Sequence, residues 1–205
     1  AGYSPSTGLS LGVAGTLGWY LGDPKNTKVS AGGASIDVTT KKQFQIVFKT
    51  TLYTSKNKFF LQGDFRFLIY SEPTYGLGTN SPDTSNYAAH FGFEKANTVR
   101  TNGAFPMRYN LIKLYEIASY QVDENLYLGL GYHLSYTYDI RDELLNVDTT
   151  PVQMTPHSYY CQAHGFNAVK YTTSGMSLNF VYDTRDNLIN PYKGMYITIN
   201  YLYNS

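Results

Sequence analysis

In NLYLGLGYHLSYTYDI, Asn125 to Ile140, apolar or aromatic side chains occupy every second position. Leu126, Leu128, Leu130, Tyr132, Leu134, Tyr136, Tyr138 and Ile140 share one parity. Gly129, Gly131, His133, Ser135, Thr137 and Asp139 share the other. A period of two puts alternate side chains on opposite faces of a strand. Soluble strands average about five or six residues, whereas a tilted strand needs roughly nine to eleven to cross a membrane. This run has membrane length, and few folds can use it.

The pattern recurs. Leu9, Leu11, Val13, Leu17, Trp19 and Leu21 alternate with Gly8, Ser10, Gly12, Ala14, Thr16 and Gly18. Phe44, Ile46, Phe48 and Leu52 alternate with Gln43, Gln45, Lys49 and Thr51. Phe59, Leu61, Phe65, Phe67 and Ile69 alternate with Gln62, Asp64 and Arg66. KVSAGGASIDVTT and MRYNLIKLYEIASYQ alternate less cleanly, and Lys113 and Glu116 in the second predict a bulge. A soluble sandwich would carry charge on its second face, but here that face is mostly Gly, Ser and Thr. Charged residues are only 15% of the chain while aromatics reach 16%, with 21 Tyr and 11 Phe. A Tyr-rich soluble sandwich is the alternative; Tyr and Phe girdles around a transmembrane barrel explain the composition better. A net charge of +1 gives no reason to expect a nucleic-acid partner. No run of 18 apolar residues predicts a transmembrane helix. The single Cys161 leaves no disulfide framework and has no thiolate-activating neighbour in sequence. The opening from Ala1 to Thr7 is polar, so an exported protein would carry it as a mature or trimmed chain.

Connections come in two sizes. GDPKNT, TKKQ, SKNK and QVDEN are turn-sized, whereas about 81–106 and about 141–173 are long and rich in Asn, Thr, Ser, Asp and Pro. In a barrel these would be short periplasmic turns and long external loops. Starting the Leu9 strand outward and holding both long loops outside requires an extra outward strand around TYGLGTN, for about nine strands in all. Eight, with TYGLGTN as loop, is the runner-up. A bacterial single-chain barrel has an even number, so residues 1–205 are expected to be the N-terminal portion of one larger barrel domain.

The segment YDTRDNLINPYKG, leading into an alternating strand, resembles the strand-turn-strand signature of the BamA/TamA superfamily, the bacterial surface antigen family. SPSTGLSLGVAGTLGWYLGD, TTKKQF and TYGLGTN are similar to its Bacteroidetes-type branch. The resemblance implies an all-β, antiparallel transmembrane β-barrel in the Gram-negative outer membrane, with about eight or nine of a probable 16 strands present. It implies insertion or translocation of outer-membrane or surface proteins through a lateral seam beside the strand of Leu9, Leu11, Val13, Leu17 and Trp19. The implied partners are outer-membrane lipid, other envelope proteins and nascent outer-membrane proteins, without a cofactor or metal. A passive pore or a structural barrel subunit of an envelope complex is the alternative.

Two charged pairs, Asp183 with Arg185 and Asp64 with Arg66, are each spaced to face inward. They read as an ion-pair network, as a latch for an internal loop or plug, or, for Asp64 and Arg66, as solvated lining. Asp186, Asn187, Pro191 and Gly194 read as a periplasmic turn. His133 and Ser135 share a face, but i and i+2 side chains stand roughly 7 Å apart, too far for a nucleophile and its base. No enzymatic activity is expected.

Overall fold

The structure, a computed structural model, describes residues 1–5, 7–75, 97–98, 104–149, 152–187 and 190–204. The described residues are all-β apart from one α-helix and a single 3-10 turn at Ser55–Asn57. The strands are β1 (Gly2–Ser4), β2 (Gly8–Trp19), β3 (Ser30–Thr39), β4 (Phe44–Tyr53), β5 (Phe59–Thr74), β6 (Asn97–Thr98), β7 (Phe105–Asp123), β8 (Leu126–Asp142), β9 (Gln153–Met154), β10 (Lys170–Asp183) and β11 (Tyr196–Asn204). Nine form one antiparallel sheet in the order β1-β2-β3-β4-β5-β7-β8-β10-β11, and β6 and β9 form a small parallel pair. Among the described residues no pairing joins β11 to β1 or β2, so the sheet is open.

The alternating side chains sort onto two faces. Rows of outward residues cross the sheet in register: Val13, Ile36, Ile46, Phe67, Ile112 and Tyr136 in one, Phe59, Tyr120, Leu128, Phe180 and Ile199 in another. Much of this face is exposed, including Val13 at 79% and Leu130 at 58%. The other face buries Gln43, Ser119, His133, Thr137, Ser177, Asn179 and Asp183. Water-seeking groups are covered and oily ones are bare, the reverse of a soluble sheet.

The sheet is strongly curled. Tyr53 ends β4 and Asp183 ends β10, four strand spacings apart, which a flat sheet would hold about 19 Å from each other. Tyr53 Oη nevertheless donates to Asp183 Oδ2 at 2.6 Å. Tyr53, Phe60, Tyr127 and Val181 fill the concave side at this end as a fully buried cluster, with Tyr53 and Phe60 stacked at 4.7 Å.

Several expectations are corrected. β5 and β7 pair directly out to Thr74 and Phe105, which leaves no place for a strand between them. The ninth strand is β1, and TYGLGTN beyond Tyr75 lies outside the described residues. Direct pairing reverses the parity: β2 starts at the end of the sheet that carries the long connections and runs toward the end with short turns. The DTRDN turn still joins the eighth and ninth strands, because β1 supplies the missing count. No bulge occurs at Lys113 or Glu116; pairing is regular there, with Lys113 inward and Glu116 outward, and the shifts fall at Arg108/Asn110 and Gln121/Asp123. Asp139 has a left-handed φ of 52°, and beyond it Ile140 turns inward and is 6% exposed instead of sharing the face of Tyr138.

The connection after β8 is not structureless. It holds the helix α1 (Pro156–His164), begun by Thr155 and Ser158 in a reciprocal capping box and ended by Gly165 at φ 68°. Of the earlier long connection only 97–98 and the start of β7 are described. β5 also stands taller than its neighbour. Its last pair with β4 is Ile69 with Phe44, so Tyr70–Thr74 are paired only to β7. Gln43 Nε2 reaches across that step to donate to Ser71 O at 2.6 Å.

Candidate functional site

Asp183 is the centre of the short-turn end. Its carboxylate is 2% exposed and takes four hydrogen bonds. Oδ1 accepts from the Arg185 backbone N at 3.1 Å and from Arg185 Nε at 2.9 Å. Oδ2 accepts from Arg185 Nη2 at 3.0 Å and from Tyr53 Oη. A carboxylate offers about four lone-pair sites, so Asp183 has none to spare for abstracting a proton or holding a metal. Lys28, in the connection after β2, donates Nζ to the Asp183 carbonyl at 2.5 Å and lies over the Tyr53 ring. Burial pushes the Lys28 ammonium below its ordinary pKa, with Asp183 pulling the other way. The Arg185 guanidinium stacks 4.2 Å above Tyr196, and its hydrogen bonds to Asp183 raise its pKa further. Residues from three strands and two connections are thus tied at one point, beside an open hollow of about 350 Å³ bounded in part by Lys25, Lys28, Arg185 and Asp186.

The turn that follows is built by its own side chains. Asp186 Oδ1 accepts from the backbone N–H of Tyr192 at 3.0 Å and of Lys193 at 3.2 Å, which holds its carboxyl below the usual range. Asn187 Oδ1 accepts from Asn190 N, and Pro191 is exposed ahead of the reversal. Gly194 sits at φ 104°, and a Cβ there would come within 2.3 Å of the Thr184 carbonyl oxygen. Only glycine fits both demands.

Asp64 and Arg66 form a separate pair on the concave face. Arg66 Nε and Nη2 donate to the two Asp64 oxygens at 2.7 and 2.6 Å, and Lys49 stands 3.7 Å away. These side chains are a quarter to a third exposed or more, and no contact links them to Asp183 among the described residues. The Leu9, Leu11, Val13, Leu17 and Trp19 side chains all lie on the convex face. β2 pairs with β3 from Ser10 to Trp19 but with β1 only at Gly8–Ser10, so from Leu11 onward its other edge is unpaired among the described residues. Gly12 in this strand lies under the Asp37 carboxylate, and Gly15 has open space around it.

No family model, curated protein or solved structure matches this chain. Function must therefore be argued from the geometry.

Two constellations were not legible in sequence. His133 Nε2 lies 2.8 Å from the hydroxyl of Ser177 on the neighbouring strand, not Ser135, and Asn179 Nδ2 donates to the same oxygen at 2.9 Å. Ser177 is 2% exposed, and nothing orients His133 through Nδ1, which has no partner among the described residues. The arrangement serves as a cross-strand tie. At the other end, His157 Nε2 lies 3.5 Å from Cys161 Sγ, one helical turn on, and His157 Nδ1 lies 3.8 Å from Asp142 Oδ2. Cys161 thus has the neighbour that its sequence context lacks, yet burial, reinforced by Asp142, raises its thiol pKa, the opposite of thiolate activation. Helical i,i+4 spacing was the available signal, hidden because PHSYYCQAH has no apolar period.

Proposed function

We propose that the chain is a wall section of an outer-membrane β-barrel of the BamA/TamA type, which assists insertion or translocation of outer-membrane and surface proteins at the edge of β2. The observation that carries the reading is the inverted burial: an extensive, largely apolar exposed face on strands of 9 to 19 residues, backed by buried Ser, Thr, Asn, His and Asp. Soluble monomers rarely expose contiguous apolar patches above a few hundred Å². Strands whose oily side meets hydrocarbon and whose polar side meets an interior have this composition. The extra height of β5, β7 and β8 lies where Glu72, Arg108, Arg141, Asp142 and Glu143 cluster, as expected of strand ends that leave the apolar layer.

The unpaired edge of β2 supports the assembly role, since free N–H and C=O groups can template an incoming strand. The test is to disulfide-link β2 to the strand that closes the full-length barrel. Outer-membrane protein assembly is expected to stall under oxidation and recover on reduction; unchanged assembly overturns the assembly role. A passive pore is the second reading, favoured by the part-exposed Lys49, Asp64 and Arg66 on the concave face. It predicts lost solute permeability on depletion with other outer-membrane proteins unaffected.

A further inference from the structure

One outward position breaks the apolar face. Leu17, Gly32, Thr50, Gly63, Glu116, Tyr132, Met176 and Tyr203 form a single row across the sheet. The row above it contains Phe48, Phe65, Leu114 and Leu134, and the row below it Leu52, Leu61, Ala118, Leu130 and Leu178. Glu116 is exposed in the middle of this surface. Counting these, two rows lie between it and one end of the face and three between it and the other, about 14 and 20 Å along the strand. Among the described residues no hydrogen bond or ion pair engages it, and none of the outward positions in its own or adjoining rows is basic.

The surroundings are shaped as well as apolar. Gly63 has no side chain, and the Glu116 carboxylate oxygens lie 3.1 Å from where its Cβ would be, with the uncharged Thr50 hydroxyl 2.7 Å from the same point, so the carboxylate rests flat on the sheet with no cation beside it. Beside it Leu61, Ala118, Leu130, Tyr132 and Met176 border a shallow hollow of about 360 Å³. A carboxylate in hydrocarbon is costly unless it meets an opposite charge. Lipid head groups stay at the two interfaces, so a cation at this depth has to be brought by a chain that itself crosses the membrane. A second copy docked through the same rows would bring no Lys or Arg.

We propose that Glu116 marks a docking site on the outward face for a different membrane-spanning polypeptide, which brings a Lys or Arg side chain onto the carboxylate and apolar side chains into the hollow. The site rests on the membrane reading of this face. Gly63 and Ala118 allow close approach, the neighbouring Leu and Met side chains supply apolar contact, and the charge pair fixes register.

The experiment places a photo-crosslinking p-benzoylphenylalanine at Met176 or Leu130 of the full-length protein in cells. A discrete polypeptide adduct is expected, with a Lys or Arg in the crosslinked segment. Glu116→Gln should reduce it about tenfold or more, Glu116→Asp should retain it, and Glu116→Lys should recover it when the partner's basic residue is changed to Glu. Adducts confined to lipid or to a second copy, or a partner adduct that persists at full yield in Glu116→Gln, overturn the proposal. A spin label at Leu130, in a Cys161→Ser background, separates the two readings. If it is relaxed by a lipid-dissolved agent and not by a water-soluble one while no polypeptide adduct forms, docking alone fails. If the water-soluble agent reaches it freely, the membrane reading fails.

Discussion

Changing Tyr53 to Phe removes one hydroxyl from the contact that bridges the concave side of the curled sheet and leaves the ring, stacked on Phe60 and against Tyr127, in place. The lost bond is 2.6 Å long, joins a 0% exposed residue to a 2% exposed carboxylate, and spans 130 positions of sequence. Hydrogen bonds to a charged acceptor contribute about 1.5–3 kcal/mol, so Tyr53→Phe should lower stability by about 2 kcal/mol, roughly thirtyfold in the unfolding equilibrium. Asp183→Asn weakens two Arg185 contacts as well and should cost about 3–5 kcal/mol, the range for breaking a buried pair. The double variant should then fall short of the sum by about 1.5–3 kcal/mol, because each change removes the same bond. Urea unfolding in detergent micelles measures this, followed by far-ultraviolet circular dichroism and by the fluorescence of Trp19, the single tryptophan. A coupling below about 0.5 kcal/mol, the additivity error for distant sites, would mean that Tyr53 and Asp183 do not touch and that the curl is drawn wrongly.

Gly194→Ala should destabilise more than Gly165→Ala. Both glycines are left-handed, a penalty of about 1–2 kcal/mol for alanine, but only at Gly194 would the Cβ also strike backbone, whereas Gly165 has open space; equal losses in the same urea assay would refute the turn geometry. Asp64→Asn should cost about 1 kcal/mol or less, since its ion pair is partly solvated, and a loss as large as that of Asp183→Asn would show that the two pairs are one network. His157 is held below its ordinary pKa chiefly by burial, Asp142 opposing. The folded state therefore binds fewer protons than the unfolded one. The packing of α1 should be fully stable above the unfolded pKa of about 6.5 and weaken as pH falls from there toward the lower folded value. Labelling of Cys161 by 4,4′-dithiodipyridine, normalised to the unfolded chain, should be faster at pH 5 than at pH 7, and His157→Gln should abolish the difference.

Alternation along each strand was enough to place Leu9, Phe48, Leu130 and their row-mates on one face and Asp64, His133 and Asp183 on the other, because side-chain parity is a local property. What depends on partners was not local. Nothing near Tyr53 points to Asp183, since the contact arises only after four strand spacings are bent together. Ile140 was misplaced because one left-handed residue, Asp139, resets the parity with no change in composition. The count of about nine was met, but the extra strand was misplaced at TYGLGTN because turn direction was inferred from an assumed starting orientation; the direct pairing of β5 with β7 removes that freedom. The Thr155–Ser158 cap, Pro156 and Gly165 were readable helix signals, outweighed by the polar look of the connection. Lys113 and Glu116, of opposite parity, suggested a bulge only because the charge of Glu116 was not expected on the oily face.

Among the described residues the step where β5 rises past the β3–β4 hairpin adds a bare flank to those on the outer edges of β2 and β11, and the β5 and β2 flanks are of opposite character. On the β5 flank Pro73 has no N–H to offer, Glu72 carries charge, and the Ser71 carbonyl is already occupied by Gln43. These are the devices by which sheets refuse strangers. The β2 flank from Leu11 to Trp19 has no proline, no charge and four small residues, Gly12, Ala14, Gly15 and Gly18. On the assembly reading proposed above, an extended segment meeting this sheet would be refused at the β5 flank and accepted at the β2 flank, so the choice of edge would be made by the sequence of the two strands and not by the pairing partner.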